Sequence, residues 1–233
     1  MPAPLTAIGF DADDTLWHHE THYRMTEQRF VALLADHGDA ADISARLLET
    51  ERRNLAFYGF GIKGFMLSMI ETANEVTNGK PPQGAVAEIL AFGREMLRHP
   101  IETLPHARDT LAALAGRYRL ILITKGDLFD QERKLAASGL GEFFDAVEIV
   151  SDKTAAVYAR IFTAHADGPG RAVMVGNSLK SDILPAITAG SFGVHVPHEL
   201  TWALDHAEEP AENPRFRRIP HLGELPELLG QIS

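Results

Sequence analysis

The chain has 233 residues, 45% of them hydrophobic and 23% charged, with a formal net charge of -10. That length and balance permit one large domain or two unequal ones with a real core, and they exclude the broad basic footprint of a nucleic-acid or anionic-membrane binder. Cysteine is absent, which removes disulfides, thiolate catalysis and cysteine-based zinc sites. The apolar stretches are strand-sized, and the N-terminal residues lack the basic-then-apolar layout of a signal peptide, so the expectation is a cytoplasmic protein with no membrane or nucleic-acid partner.

Residues Leu5 to Phe10 form an apolar run that stops abruptly at Asp11, the pattern of a buried parallel strand that delivers polar groups to its C-terminal end. From Glu20 to about Arg98 apolar positions recur at three- and four-residue steps, which predicts helices: Phe30, Leu33 and Leu34, then Ile43, Leu47 and Leu48, then Val86, Ile89 and Leu90. Beyond Pro105, apolar runs at Leu120 to Ile123, Val147 to Val150, Ala172 to Val175 and Phe192 to Val196 alternate with helix-like segments such as Leu111 to Leu114 and Gln131 to Ser138. Alternation of this kind builds a parallel sheet with helices on both faces. Ala207 to Arg218 read as a surface connection and Leu222 to Ile232 as a closing helix.

The expected architecture is therefore α/β: a Rossmann-like, doubly wound parallel sheet core made of residues 1–17 and 100–233, interrupted by an all-helical domain at 18–99. An insertion straight after the first strand is placed to act as a lid over the ligand-binding end of the sheet.

Four strand ends carry candidate chemistry. In Phe10-Asp11-Ala12-Asp13-Asp14-Thr15-Leu16, two carboxylates sit two positions apart; in extended backbone such residues share a face, so Asp11 and Asp13 can point into one site. An Asp-rich turn after a strand is the competing account. Asp14 reads as solvent-facing or as a local cap, and Thr15 as a turn hydroxyl that orients Asp13. The run from Leu120 ends in Thr124, Lys125 and Gly126, where a hydroxyl, backbone amides and a glycine open to close approach can hold a phosphate oxygen. Lys153 follows the next strand, either to offset anionic charge or as a solvated surface lysine. Gly176-Asn177-Ser178, with Asp182 a few residues on, is an oxygen-rich arrangement suited to a hard divalent ion, a helix cap being the other role open to Asp182.

In this order the four segments resemble the signature motifs of the haloacid dehalogenase-like hydrolase superfamily, and the helical insertion resembles the cap domain of its type 1 members. The resemblance covers the whole chain and implies a phosphatase that uses Mg2+ on a small phosphorylated metabolite. It implies that Asp11 attacks phosphorus to form an aspartyl-phosphate and that Asp13 serves as acid and base. It further implies phosphate binding by Thr124, Lys125, Gly126 and Lys153, with the metal held by Asp11, the carbonyl of Asp13, and Asp182. Thr15 and Asn177 are expected to support these groups; Asn177 departs from the family pattern, in which an acid is common at that turn, and brings no negative charge.

The same motifs also serve 2-haloacid dehalogenases and phosphomutases, and a catalytically silent phosphometabolite-binding module is a further alternative. A halide leaves without a proton whereas an alkoxide needs one, so Asp13 favours the phosphatase. Tyr58 to Phe65 combine aromatics, glycines and a cation. They read either as a loop that closes on substrate, with Tyr58, Phe60 and Lys63 setting specificity, or as part of the helical domain's own core. His18 and His22, at i,i+4, form a zinc-like spacing without a third ligand.

Overall fold

The structure, a computed structural model, describes residues 4–200 and 202–232. Six strands form one parallel sheet: β1 (Ala7–Phe10), β2 (Arg119–Lys125), β3 (Ala146–Val150), β4 (Ala172–Gly176), β5 (Phe192–His195) and β6 (Phe216–Arg218), in the spatial order β3-β2-β1-β4-β5-β6. The central strands β1, β2 and β4 are short apolar runs because both of their faces are covered. Ile8, Phe10, Leu120, Leu122, Val173 and Val175 pack on one face, and Ala7, Ile121, Ile123, Ala172 and Met174 on the other, the two-residue alternation that a pleated strand imposes.

One sequence expectation is corrected here. Residues 207–218, read as a surface connection, end in the strand β6, which pairs parallel with β5 and buries Phe216. An edge strand of three residues that is mostly arginine has no alternating apolar run to betray it.

By packing, the chain divides into two compact units. One comprises the chain up to Glu20, Ile101–Lys125 and everything from Gln131 on; the other is Thr21–Pro100 together with Gly126–Asp130. The second unit is helical, built from α1 (Glu20–Leu33), α2 (Ala40–Tyr58), α3 (Ile62–Val76) and α4 (Ala85–Arg98). Their apolar stripes meet in a core of Phe30, Ile43, Leu47, Phe65, Met69 and Ile89 among others.

In the first unit α5 (Ala107–Leu114) covers one sheet face, and α6 (Leu128–Ser138) lends it Leu135. The helices α7 (Ala155–His165) and α8 (Leu184–Thr188) cover the opposite face, and α9 (Leu225–Ile232) returns to the first. No helix among the described residues is long and apolar enough to cross a membrane.

The strand order places a topological switch between β1 and β4, since the chain winds outward from β1 through β2 and β3 on one side and through β4, β5 and β6 on the other. Strands that diverge in this way leave a crevice at their C-terminal ends. Gly9 in β1 is part of what brings α7 close: a Cβ there would lie 2.8 Å from Ile123 Cδ1 and 3.1 Å from the Phe162 ring. Gly9→Val is therefore expected to overpack the sheet by about 1–3 kcal/mol. The check is a thermal melt, which should fall by several degrees and further for Val than for Ala at this position.

Candidate active site

The amide of Asp11 still bonds the Val175 carbonyl at 2.9 Å, so the β1–β4 ladder runs one residue past the strand and fixes where the Asp11 side chain starts. Lys153 follows β3 and precedes Thr154, whose hydroxyl caps α7. Its ammonium, 2% exposed, donates to Asp11 Oδ1 and, at 2.7 Å, to Asp182 Oδ1. Asp182 sits in a single π-helical turn, Leu179–Ile183, and its Oδ2 receives the Ser178 amide at 3.0 Å. Such turns are uncommon and recur at functional sites. A Cβ at Gly176 would stand 2.2 Å from Asp182 Oδ2, so only glycine lets the carboxylate lie against the end of β4.

One buried ammonium against two buried carboxylates leaves an excess of negative charge. Burial first, and then the Asp182 charge, push the Asp11 carboxyl up to about 7 against the pull of Lys153. Burial lowers the Lys153 ammonium, but Asp11 and Asp182 outweigh it and hold the group firmly protonated. An all-oxygen set with surplus negative charge suits a hard divalent cation. Among the described residues no cluster of three or more His, Asp or Glu side chains forms a metal site by itself.

Asp13 faces a different set of partners. Trp17 Nε1 donates to its Oδ1 at 2.7 Å, Lys134 Nζ to both oxygens at 2.6 and 2.8 Å, and Gln131 Nε2 to Oδ2 at 2.9 Å. These bonds fill the roughly four lone-pair sites a carboxylate offers. Burial alone would raise its pKa, yet the charges of His19 and Lys134, with hydrogen bonds from Lys134 and Gln131, hold it well below the usual carboxylate range. These partners thus favour the ionised form of Asp13. Lys134 and Gln131 escaped the sequence reading; their only signal was an i,i+3 pair on the helix after β2.

Thr15 differs from expectation. Its hydroxyl lies 3.0 Å from Asp11 Oδ2, receives the Asn177 amide at 3.1 Å, and is 3.4 Å from Asn177 Oδ1, so it steadies Asp11 and the β4 turn rather than Asp13. Asp14 is buried with φ 58°; its carboxylate caps the start of α1 by accepting the amides of His19 and Glu20, which settles its two readings in favour of the cap. Thr124, buried, is the penultimate residue of β2, and Gly126 follows that strand with φ 139°, a left-handed conformation that favours glycine. The Lys125 ammonium turns to Ser181 and Asp205.

Within the helical unit, Tyr58 is 44% exposed and its hydroxyl donates to Glu71, Lys63 pairs with Asp127 at 2.9 Å, Phe60 is half-buried, and Phe65 belongs to the core. Of the aromatics in this segment, Phe65 thus takes the core role. The rings of His18 and His22 meet different partners: His18 meets His198 edge-on, and His22 lies tilted against His99.

The raised Asp11 pKa has a measurable consequence. Between its unfolded value near 4 and about 7 the folded state holds a proton that the unfolded state has lost, so metal-free stability should fall as pH rises through this window, by at most about 1.4 kcal/mol per pH unit. Urea titrations in EDTA at pH 5 and 7 should show this slope in the wild type and a smaller one in Asp11→Asn. Lys134→Met, which strands the Asp13 carboxylate, should cost about 3 kcal/mol in the same assay at pH 7.

A sequence profile described as haloacid dehalogenase-like hydrolase matches residues 5–190. The chain is 34% identical over 117 residues to glyceraldehyde 3-phosphate phosphatase of Methanothermobacter thermautotrophicus, covering 47% of this chain and only about half, 51%, of that relative. It is 26% identical over 195 residues to N-acylneuraminate-9-phosphatase of Homo sapiens, 79% of each chain. A solved haloacid dehalogenase-like family hydrolase from Xanthomonas campestris superposes with a TM-score of 0.85 at 39% identity, over 98% of this chain and 95% of the other. With its Rossmann-like sheet and strand-end carboxylates, the chain belongs to the haloacid dehalogenase-like hydrolase family.

Proposed function

We propose that the protein is a magnesium-dependent phosphatase that hydrolyses small phosphomonoesters through a phospho-Asp11 intermediate. The observation that carries this reading is the buried Lys153 ammonium shared by Asp11 and Asp182, with the Asp13 carboxylate two residues from the nucleophile and held by Lys134. The two curated relatives named as phosphatases support the phosphoester class.

In this mechanism Asp11 attacks phosphorus, and Asp13 gives a proton to the leaving alkoxide. Water then attacks the aspartyl-phosphate as Asp13 takes its proton, which restores both carboxyl groups. Lys134 favours the carboxylate needed in this second half; in the first half the incoming phosphate dianion raises the proton affinity of Asp13 against that pull. Thr124, the Lys125 and Gly126 backbone, and Lys153 hold the phosphoryl oxygens. Asp11, the Asp13 carbonyl and Asp182 would hold Mg2+, which supplies charge neutralisation for facing anions. The surplus negative charge around Lys153 fits that demand. We assign residues 18–99 the role of a cap, with Tyr58, Phe60 and Lys63 contributing to substrate choice. The absence of cysteine accords with a cytoplasmic location.

A phosphate-release screen over a metabolite panel tests this directly. Activity should vanish in EDTA and return with Mg2+, and Asp11→Asn should lower turnover by more than about a thousandfold. Asp13→Asn should slow release of an alkyl alcohol by about a hundredfold or more, while release of a nitrophenol, which leaves without a proton, changes far less. Metal-independent turnover, or turnover that survives Asp11→Asn, would sink the mechanism.

A further inference from the structure

The end of β2 is joined to the π turn by a residue outside all four strand-end segments. Lys125 Nζ donates to Ser181 Oγ at 2.7 Å and to Asp205 Oδ1 at 3.1 Å, and Ser181 Oγ donates to the same Asp205 oxygen at 2.9 Å. The three side chains close a ring. Asp205 ends the short turn Ala203–Asp205 in the connection between β5 and β6. That turn is tied down a second time, where the Leu204 carbonyl receives Lys180 Nζ at 2.7 Å, and the Trp202 ring lies 5.9 Å from the Lys125 ammonium. The Lys125 and Asp205 side chains are only 15% and 18% exposed, so solvent screens this pair less than the surface pairs of the helical unit.

Ser181 connects the ring to the chemistry. Its amide donates to Ser178 Oγ at 3.0 Å, its carbonyl accepts the buried Tyr158 hydroxyl at 3.0 Å, and its own hydroxyl belongs to the ring. All three of its polar groups are thus held, and the next residue is Asp182. The π turn is a single isolated one, and Ser181 within it is held by bonds to groups outside Leu179–Ile183. Lys125, the other ring member, follows Thr124 directly at the end of β2.

We propose that Asp205 is a positioning residue for the divalent-cation site: by closing the ring with Lys125 and Ser181, it fixes the π turn against the end of β2 and so sets the placement of Asp182. The inference rests on the reading of Asp182 as a metal ligand. Asp205 touches neither Asp11 nor Lys153, so its effect should fall on cation binding and leave the chemical step largely alone.

The test uses the full chain as wild type, Asp205→Asn, Ser181→Ala and the double variant, each verified as folded by circular dichroism. Mn2+ binding is read from the electron paramagnetic resonance signal of the free ion, which needs no turnover, and kcat and KM are measured at saturating Mg2+. Each single variant should weaken Mn2+ binding about tenfold, the range found when a group that orients a metal ligand is removed. The double variant should lose little more than either single one, because both cut the same ring, and kcat at saturating metal should stay within about threefold. Wild-type affinity in both single variants would overturn the role of Asp205, as would losses that multiply in the double variant or a fall in kcat alone. A wild type that binds no Mn2+ would instead overturn the magnesium reading itself, and this inference with it.

Discussion

Lys153 sets its ammonium between Asp11 and Asp182 almost out of contact with solvent. Removing the ammonium would leave two buried carboxylates facing each other, and breaking a buried ion pair from one side typically costs roughly 3–5 kcal/mol. Much of the surrounding architecture follows from keeping these three groups together. Asp11 is delivered by the extra rung of the β1–β4 ladder, Lys153 by the turn between β3 and α7, and Asp182 by a π turn that only a glycine at 176 allows so close to the sheet. The parallel order of the strands makes this convergence possible, because their C-terminal ends all open on the same side.

Two carboxylates separated by a single alanine have been given opposite environments. Asp11 is buried beside another acid and is hard to ionise. Asp13 is wrapped by donors from Lys134, Gln131 and Trp17 and is ionised readily. Environments that push neighbouring acids apart are how one fold assigns different tasks to chemically identical groups. In the mechanism proposed above, Asp11 needs its charge exposed by neutralisation, and Asp13 needs to pass a proton in both directions. Lys134 and Gln131 supply the second environment from α6, a helix with no part in the four strand-end segments.

The legible parts of the fold were those with a strong local pattern. Buried parallel strands such as β1, β2 and β4 announce themselves as apolar runs cut off by polar residues, and the helices of the second unit by their three- and four-residue spacing. The edge strand β6 was missed because three residues, two of them arginine, carry no periodicity. Asp14 and Thr15 were named, yet their partners were not foreseeable. Asp14 caps α1, and Thr15 reaches Asn177, which is 162 positions away in the chain. Loop aromatics were equally ambiguous until packing separated Phe65, which is in a core, from Tyr58, which is not.

By itself the sequence determined the kinds of chemistry available and their order: two acids after one apolar run, a hydroxyl and a glycine after another, a lysine, then a glycine turn with an acid beyond it. Residue type and strand-end position are local properties, so they survive in one dimension. Only the tertiary structure decided which charge answers which: Lys153 shared between Asp11 and Asp182, Lys134 on Asp13, and Lys125 bound to Ser181 and Asp205. The physical reason is that the strength of an ion pair depends on distance and on exclusion of water. Both are set by how strands and turns remote in sequence pack together.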